Sequence, residues 1–255
     1  GIVAVSDDGR PVSSANLMRL AMQYASQFGI KVISHCEDLT LVNGGAMDDG
    51  KVATAMGIRG IPRAAEEVMI AREIILAETY GLSVHIAHVS TKGGVQLIKE
   101  AKARGVKVTA ETAPHYLFGT SELCNNFNTS AKVNPPLREE EDRLCLIEAL
   151  KSGIIDCIAT DHAPHTFDDK NCDFDSASFG ISGFETAFPI CYTVLVKSGV
   201  MTIDKLVTLM SSAPAEILGI NAGILKAGAP ADIFIADCNA SFIIEPENFL
   251  SKGKN

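Results

Sequence analysis

Long apolar runs are missing from this sequence. No stretch reaches the length needed to span a bilayer, and the first residues lack the basic-then-apolar order of a secretory leader. Basic residues are the scarcer charge, with 22 Lys and Arg against 31 Asp and Glu and a net charge of −9. That balance argues against nucleic acid or an anionic membrane as a partner. It leaves a small anionic substrate open, because one pocket can differ in sign from the whole surface. No two cysteines stand at CxxC spacing, and their number, seven, is odd. They read as buried free thiols in a reducing compartment, and a cytoplasmic location follows. Cys36 sits beside His35 and is a candidate ligand or nucleophile, although a packed thiol is the commoner case. No internal repeat or low-complexity segment interrupts the 255 residues, and no strand is followed by a glycine-rich phosphate loop.

What the sequence does contain is an alternation of short apolar runs with longer amphipathic ones. Residues 2–5, 31–34, 82–87, 106–111 and 154–160 read as strands rich in β-branched side chains. Residues 14–28, 62–80, 94–104 and 139–151 read as helices. Ser13 and Ser14 are good caps for the first, and Gly29, Gly81 and Gly105 close three of them. Further helices are expected at 184–198, 202–212 and 214–218, and a late strand at 231–236. The alternation predicts an α/β protein with a parallel sheet. Both a doubly wound sheet and a (β/α)8 barrel fit. Five strand–helix units are too few to close a barrel, so the sequence is expected to be a piece of a longer chain.

All six histidines lie at or just beyond strand C-terminal ends. The five ends read Ser6-Asp7-Asp8-Gly9, Ser34-His35-Cys36-Glu37-Asp38, His85-Ile86-Ala87-His88, Glu111-Thr112-Ala113-Pro114-His115 and Asp161-His162-Ala163-Pro164-His165. In barrels and open α/β sheets that edge is where active sites form. Imidazole and carboxylate are the donors a catalytic zinc favours. The candidates are His35, His88 and one of Asp7 or Asp8, with Asp161 nearby. Strand alternation allows only one of His85 and His88 to ligate, leaving the other packed or hydrogen-bonded. Taken singly, each has a bland reading. Asp7-Asp8-Gly9 makes an ordinary turn, Asp161 a helix cap, and Arg138 a surface arginine on a stiff loop. Glu139–Asp142 makes an acidic first helical turn. Their placement on five successive strand ends favours a site.

The runs SDDG (6–9), SHCED (34–38), GIPRAAE (60–66), HIAHVST (85–91), ETAPHYL (111–117), KVNPPLR (132–138), ATDHAPH (159–165) and FGISGFET (179–186) occur in the order found in bacterial class I dihydroorotases. Over essentially its whole length the sequence resembles this family of the amidohydrolase superfamily. The resemblance implies a metal-dependent TIM barrel over 1–222, seen here as its later units. It also implies the start of a small β-sandwich over 223–255, where AGAPADIFIAD (227–237) resembles the family's return strand. Asp8 resembles the bridging carboxylate, where hydantoinases carry a modified lysine. His35 and His88 resemble the ligands of a second metal, and Asp161 a ligand of the first that also serves as general acid/base. Asn134 and His165 resemble substrate-binding residues, with the backbone of Phe179 and Gly180 against the pyrimidine ring. His162 has no role implied by the motif. The family's HxHxR motif is absent, since no HxH occurs in these residues.

The resemblance implies one or two Zn2+ ions and the reversible closure of N-carbamoyl-L-aspartate to L-dihydroorotate. It further implies a cytoplasmic homodimer that associates with aspartate transcarbamoylase. Two rivals stand beside this reading. One is a hydantoinase or allantoinase; the other is a non-catalytic, dihydroorotase-like scaffold subunit. The loop 166–178 is acidic and aperiodic, and is expected to be mobile.

Overall fold

A computed structural model describes residues 1–255. Seven strands form: β1 (Ala4–Ser6), β2 (Lys31–Ser34), β3 (Met47–Asp48), β4 (Gly60–Ile61), β5 (Val84–Ile86), β6 (Val108–Thr112) and β7 (Cys157–Ile158). Five of them make one sheet in the order β1-β2-β5-β6-β7, every pair parallel. The order follows the chain and never reverses. A doubly wound sheet must reverse at a switch point, so the arrangement is that of a barrel's successive units. The pair β3-β4 lies apart, in the connection between β2 and β5.

Alternation along the strands divides the sheet into two faces. Val32, Val84, Ile86, Val108 and Ala110 are buried with Met69, Ile70, Ile74 and Ile98 from the covering helices. This apolar layer is the core. Ser6, Ile33, His85 and Thr109 stand side by side in register on the other face. The helices that cover the sheet run over Ala15–Ser26, Ala64–Tyr80, Lys92–Ala103 and Glu140–Ser152. Ser14 caps the first by accepting from the Leu17 amide, and Thr91 caps the third by accepting from Gly94.

Several expectations need correcting. The last strand of the sheet is two residues, not seven; just before it the Asp156 amide still donates to Ala110 O, and its carboxylate accepts from Lys102 Nζ and the Ala110 amide. Residues 231–236 form no strand: they are exposed and meet no neighbouring strand, and a strand without a ladder leaves its backbone groups to water. The loop 166–178 is anchored. A capped helical turn spans Phe167–Lys170, and Lys170, Phe174 and Ala177 are buried. All seven cysteines are free, but Cys172 and Cys238 are exposed. Arg138 is a buried residue, 4 % exposed. No helix is long and apolar enough to cross a membrane.

Candidate metal centre

Asp8, His35 and His88 arrive from three strand ends and meet. His35 Nδ1 lies 2.8 Å from His88 Nε2. Asp8 Oδ1 lies 3.3 Å from His35 Nδ1 and 3.2 Å from His88 Nε2. Both imidazoles are buried, whereas the Asp8 side chain is 58 % exposed, so the cluster opens to solvent on the carboxylate side. Asp7 does not join it. Its carboxylate accepts from the His35 and Val12 amides at 2.8 Å each and fixes the turn that presents Asp8. Cys36 also stays out, packed with its thiol 3.7 Å from Ser34 Oγ.

His88 follows the end of β5 with φ +34°, in the left-handed region that bulky residues rarely occupy. This backbone turn, not strand alternation, separates the two histidines of HIAH. His85 remains on the strand, with Nδ1 2.8 Å from Thr109 Oγ1 and Nε2 3.0 Å from Glu111 Oε2. Cys157 lies against that pair, its thiol pushed well above the ordinary range by burial and then by Glu111. Both ring nitrogens of His85 are engaged, so this second group is satisfied as a hydrogen-bonded network.

The first cluster is not. His35 Nε2 lies 3.1 Å from Glu37 Oε2 and must donate to it, since a carboxylate only accepts. In the neutral form that a metal requires, the ring turns a bare Nδ1 lone pair towards His88 Nε2 and Asp8. One proton on His88 Nε2 satisfies one of these contacts, whereas a bound cation satisfies both imidazoles and the carboxylate together. The buried Nδ1 of His88 has no partner. Burial alone would lower the His35 pKa, but the bonds to Asp8 and Glu37 outweigh it and raise it to about 9. The same bonds, from His35 first and then His88, hold the Asp8 carboxyl far below the usual carboxylate range. Two imidazoles and a carboxylate held as an anion fit a zinc-like divalent cation.

Asp161 ends the fifth strand unit, also in the left-handed region at φ +48°. It stands apart from the three. Burial raises its carboxyl pKa, with Asp8 and Glu111 adding to the rise and His88 and His35 opposing it. The nearest imidazole is His115, whose Nε2 is 4.0 Å from Asp161 Oδ2, buried and without a partner. Burial and the charge of His88 lower the His115 pKa to about 3, so this ring is neutral. Two residues of the edge were not singled out by sequence, His115 and Glu37. Glu37 lies two positions from His35, so its spacing was a usable signal. It accepts from His35 through one oxygen and from Asn134 Nδ2 at 2.9 Å through the other.

His165 Nε2 donates to Phe179 O at 2.7 Å, leaving Nδ1 as the free acceptor of its ring. The Gly180 amide donates to Lys132 O, two residues before Asn134. His165 is thus tied to Phe179, and Gly180 to the stretch of chain that leads into Asn134, whose own side chain bonds Glu37. His162 instead stacks on Phe184, ring centroids 3.9 Å apart, and accepts from the Gly183 amide.

A family model described as Dihydro-orotase-like matches residues 1–94. Over all 255 residues the chain is 56 % identical to a dihydroorotase of Acetivibrio thermocellus and 54 % identical to one of Ruminiclostridium cellulolyticum. It spans 60 % of the length of each. Among solved structures it superposes on an L-hydantoinase (dihydropyrimidinase) from Arthrobacter aurescens with a TM-score of 0.78 and 29 % identity. The match covers 90 % of this chain and 53 % of that one. A D-hydantoinase, 24 % identical, shares the fold with the same TM-score.

Proposed function

We propose, from the premise that the chain belongs to the dihydroorotase-like family of the cyclic amidohydrolases, that its protein interconverts N-carbamoyl-L-aspartate and L-dihydroorotate. The observation that carries this reading is the meeting of Asp8, His35 and His88 at one sheet edge, within 3.3 Å of one another. Asp8, His35, His88 and Asp161 would hold zinc, as one or two ions. The bound metal supplies Lewis acidity and lowers the pKa of a water towards roughly 7.

The chain's own residues do the rest. Asp161, its pKa raised by burial, takes a proton from the attacking water and returns it to the leaving ring nitrogen. In the closing direction the same carboxyl works in reverse. Asn134 offers an amide to the substrate carboxylate, and His165 a ring nitrogen to a donor of the substrate. The backbone of Phe179 and Gly180 lies along the pyrimidine ring. Glu37 holds His35 and Asn134 at a fixed separation, coupling the metal side of the edge to the substrate side.

The same reading has the protein working in the cytoplasm as a homodimer, with aspartate transcarbamoylase as a candidate partner. It assigns 1–222 to the barrel and 223–255 to the sandwich. The hydantoinase neighbours support a second reading, a hydantoin or allantoin ring as substrate. Asp8 stands where those enzymes carry a modified lysine, which favours dihydroorotate. Turnover of dihydroorotate, hydantoin and allantoin by the intact, metal-loaded protein discriminates the two. Asp161→Asn is expected to abolish turnover of the preferred ring with the circular-dichroism spectrum unchanged. Substantial residual activity would remove Asp161 from the mechanism.

A further inference from the structure

The segment 249–255 lies across the two loops that carry His165 and Gly180. A primary amide offers two donors and an acceptor in one plane, and Asn255 uses all of them. Its Nδ2 donates to Ala163 O at 3.1 Å and to Gly180 O at 2.9 Å. Its Oδ1 accepts from the His165 amide at 2.8 Å and lies 3.0 Å from Ser182 Oγ. Its backbone oxygen accepts from the Ser182 amide at 2.8 Å. One side chain therefore joins residues 163–165 to residues 180–182.

The rest of the segment secures this seat. The Glu185 carboxylate accepts from the Leu250 and Ser251 amides at 2.9 and 3.1 Å. Gly253 is buried so closely that a Cβ there would stand 2.6 Å from Pro164 Cβ and 2.9 Å from the His165 nitrogen. Any side chain would push the segment away. The two loops also meet directly, through the His162–Ile181 bridge with its Ala163 amide to Ile181 O bond, through His165 Nε2 to Phe179 O, and through the Gly183 amide to His162 Nδ1. Asn255 adds ties from a third segment, on the side of the loops where the His165 amide and Gly180 O lie.

We propose that Asn255 is a positioning residue, fixing the separation of His165 from the Phe179–Gly180 backbone through an amide clasp across both loops. The assignment rests on the reading of those residues as substrate contacts. A clasp of this kind governs substrate affinity, because it touches neither the metal residues nor Asp161.

The test uses the intact, metal-loaded protein with Asn255→Ala and the near-isosteric Asn255→Asp, which keeps the acceptor and loses both donors. Each is expected to raise KM for N-carbamoyl-L-aspartate by about tenfold or more, with kcat changed by less than about threefold. Metal content and Tm should stay at the wild-type values. Amide hydrogen exchange supplies a readout independent of turnover. The His165 amide should exchange about tenfold faster in Asn255→Ala, while amides of the helix Ala64–Tyr80 stay protected. Unchanged KM with unchanged exchange at His165 would overturn the clasp. So would losses of Tm, metal and kcat together, which mark a merely structural role. If Asn255→Ala fails to fold, Ser182→Ala removes one strand of the clasp and should give a smaller change of the same kind; no change would again overturn it. A wild-type protein inactive on this substrate overturns the dihydroorotate reading instead, and the exchange experiment then decides on the clasp alone.

Discussion

Arg138 sits four residues past Asn134 and is buried among acids. It donates to Asp48 Oδ1 and to Ile61 O at 2.9 Å each and to Ser90 Oγ at 3.1 Å, with Glu66 3.7 Å away. Glu66 in turn accepts from the amides and hydroxyls of Ser90 and Thr91, just beyond His88. Removing the guanidinium leaves buried Glu66 without its cation and buried Asp48 with only Arg63, 3.7 Å away. Arg138→Met should therefore cost about 3–5 kcal/mol, measured by urea denaturation. A loss below about 1 kcal/mol would mean that water reaches the network. Glu37 offers a subtler change. Glu37→Gln can keep the shape but gives up the charge that orients His35, so zinc affinity should fall by about 10–100-fold in a chelator competition. The strand-end spacing made Asp8, His35, His88 and Asp161 visible as one edge. It could not separate Asp7 from Asp8, because two adjacent acids in a turn differ only in which backbone amides they meet. Nor could it reveal that Arg138 is buried, since its partners lie 48, 72, 77 and 90 positions away.

At the scale of elements, the loop 166–178 is the clearest departure from its sequence. Acidic composition without periodicity suggested mobility, yet two lysines pin it from opposite sides. Lys132 Nζ donates to Phe174 O and Asp175 O, and Lys170 Nζ donates to Thr129 O and Lys132 O. Those acceptors are backbone carbonyls, which no side-chain pattern displays. Burial, with the neighbouring Lys132 charge adding to it, lowers the Lys170 pKa to about 8. The unfolded chain therefore binds more protons than the folded one between about pH 8 and pH 10.5. The contribution of this lysine is most favourable above that window and is lost as pH falls through about 8. The stability of the native protein relative to Lys170→Met should rise between pH 7 and pH 9.5, by about 1–3 kcal/mol. A difference that is flat or falls with pH would show that Lys170 keeps its ordinary pKa. Strand order and helix positions were legible because caps and β-branched runs are local signals. The shortness of β7 was not, because the β6 residues it pairs with, Glu111 and Thr112, lie 46 positions earlier.

Across the whole molecule, exposed apolar side chains include groups at the sheet edge and in the late segment. Ile2, Val3 and Val5 flank or lie on β1, which pairs only with β2. Ile235, Ile243 and Leu250 are 89 %, 83 % and 93 % exposed. An edge strand with apolar side chains offers the backbone donors and acceptors of its free edge to a second copy, and apolar patches of this kind drive association. The net charge of −9 opposes that association at long range, but salt screens it over about 8 Å at physiological ionic strength. Residues 1–255 taken alone should therefore self-associate, more strongly as salt is added. Light scattering after size exclusion should give a mass above the 27.1 kDa of one chain. Val3→Lys with Val5→Lys places charge on the β1 edge and should reduce that mass if strand pairing is the route. If the double variant associates as before, the late segment is the contact instead. A single species of monomer mass at every salt concentration would mean that neither surface is adhesive.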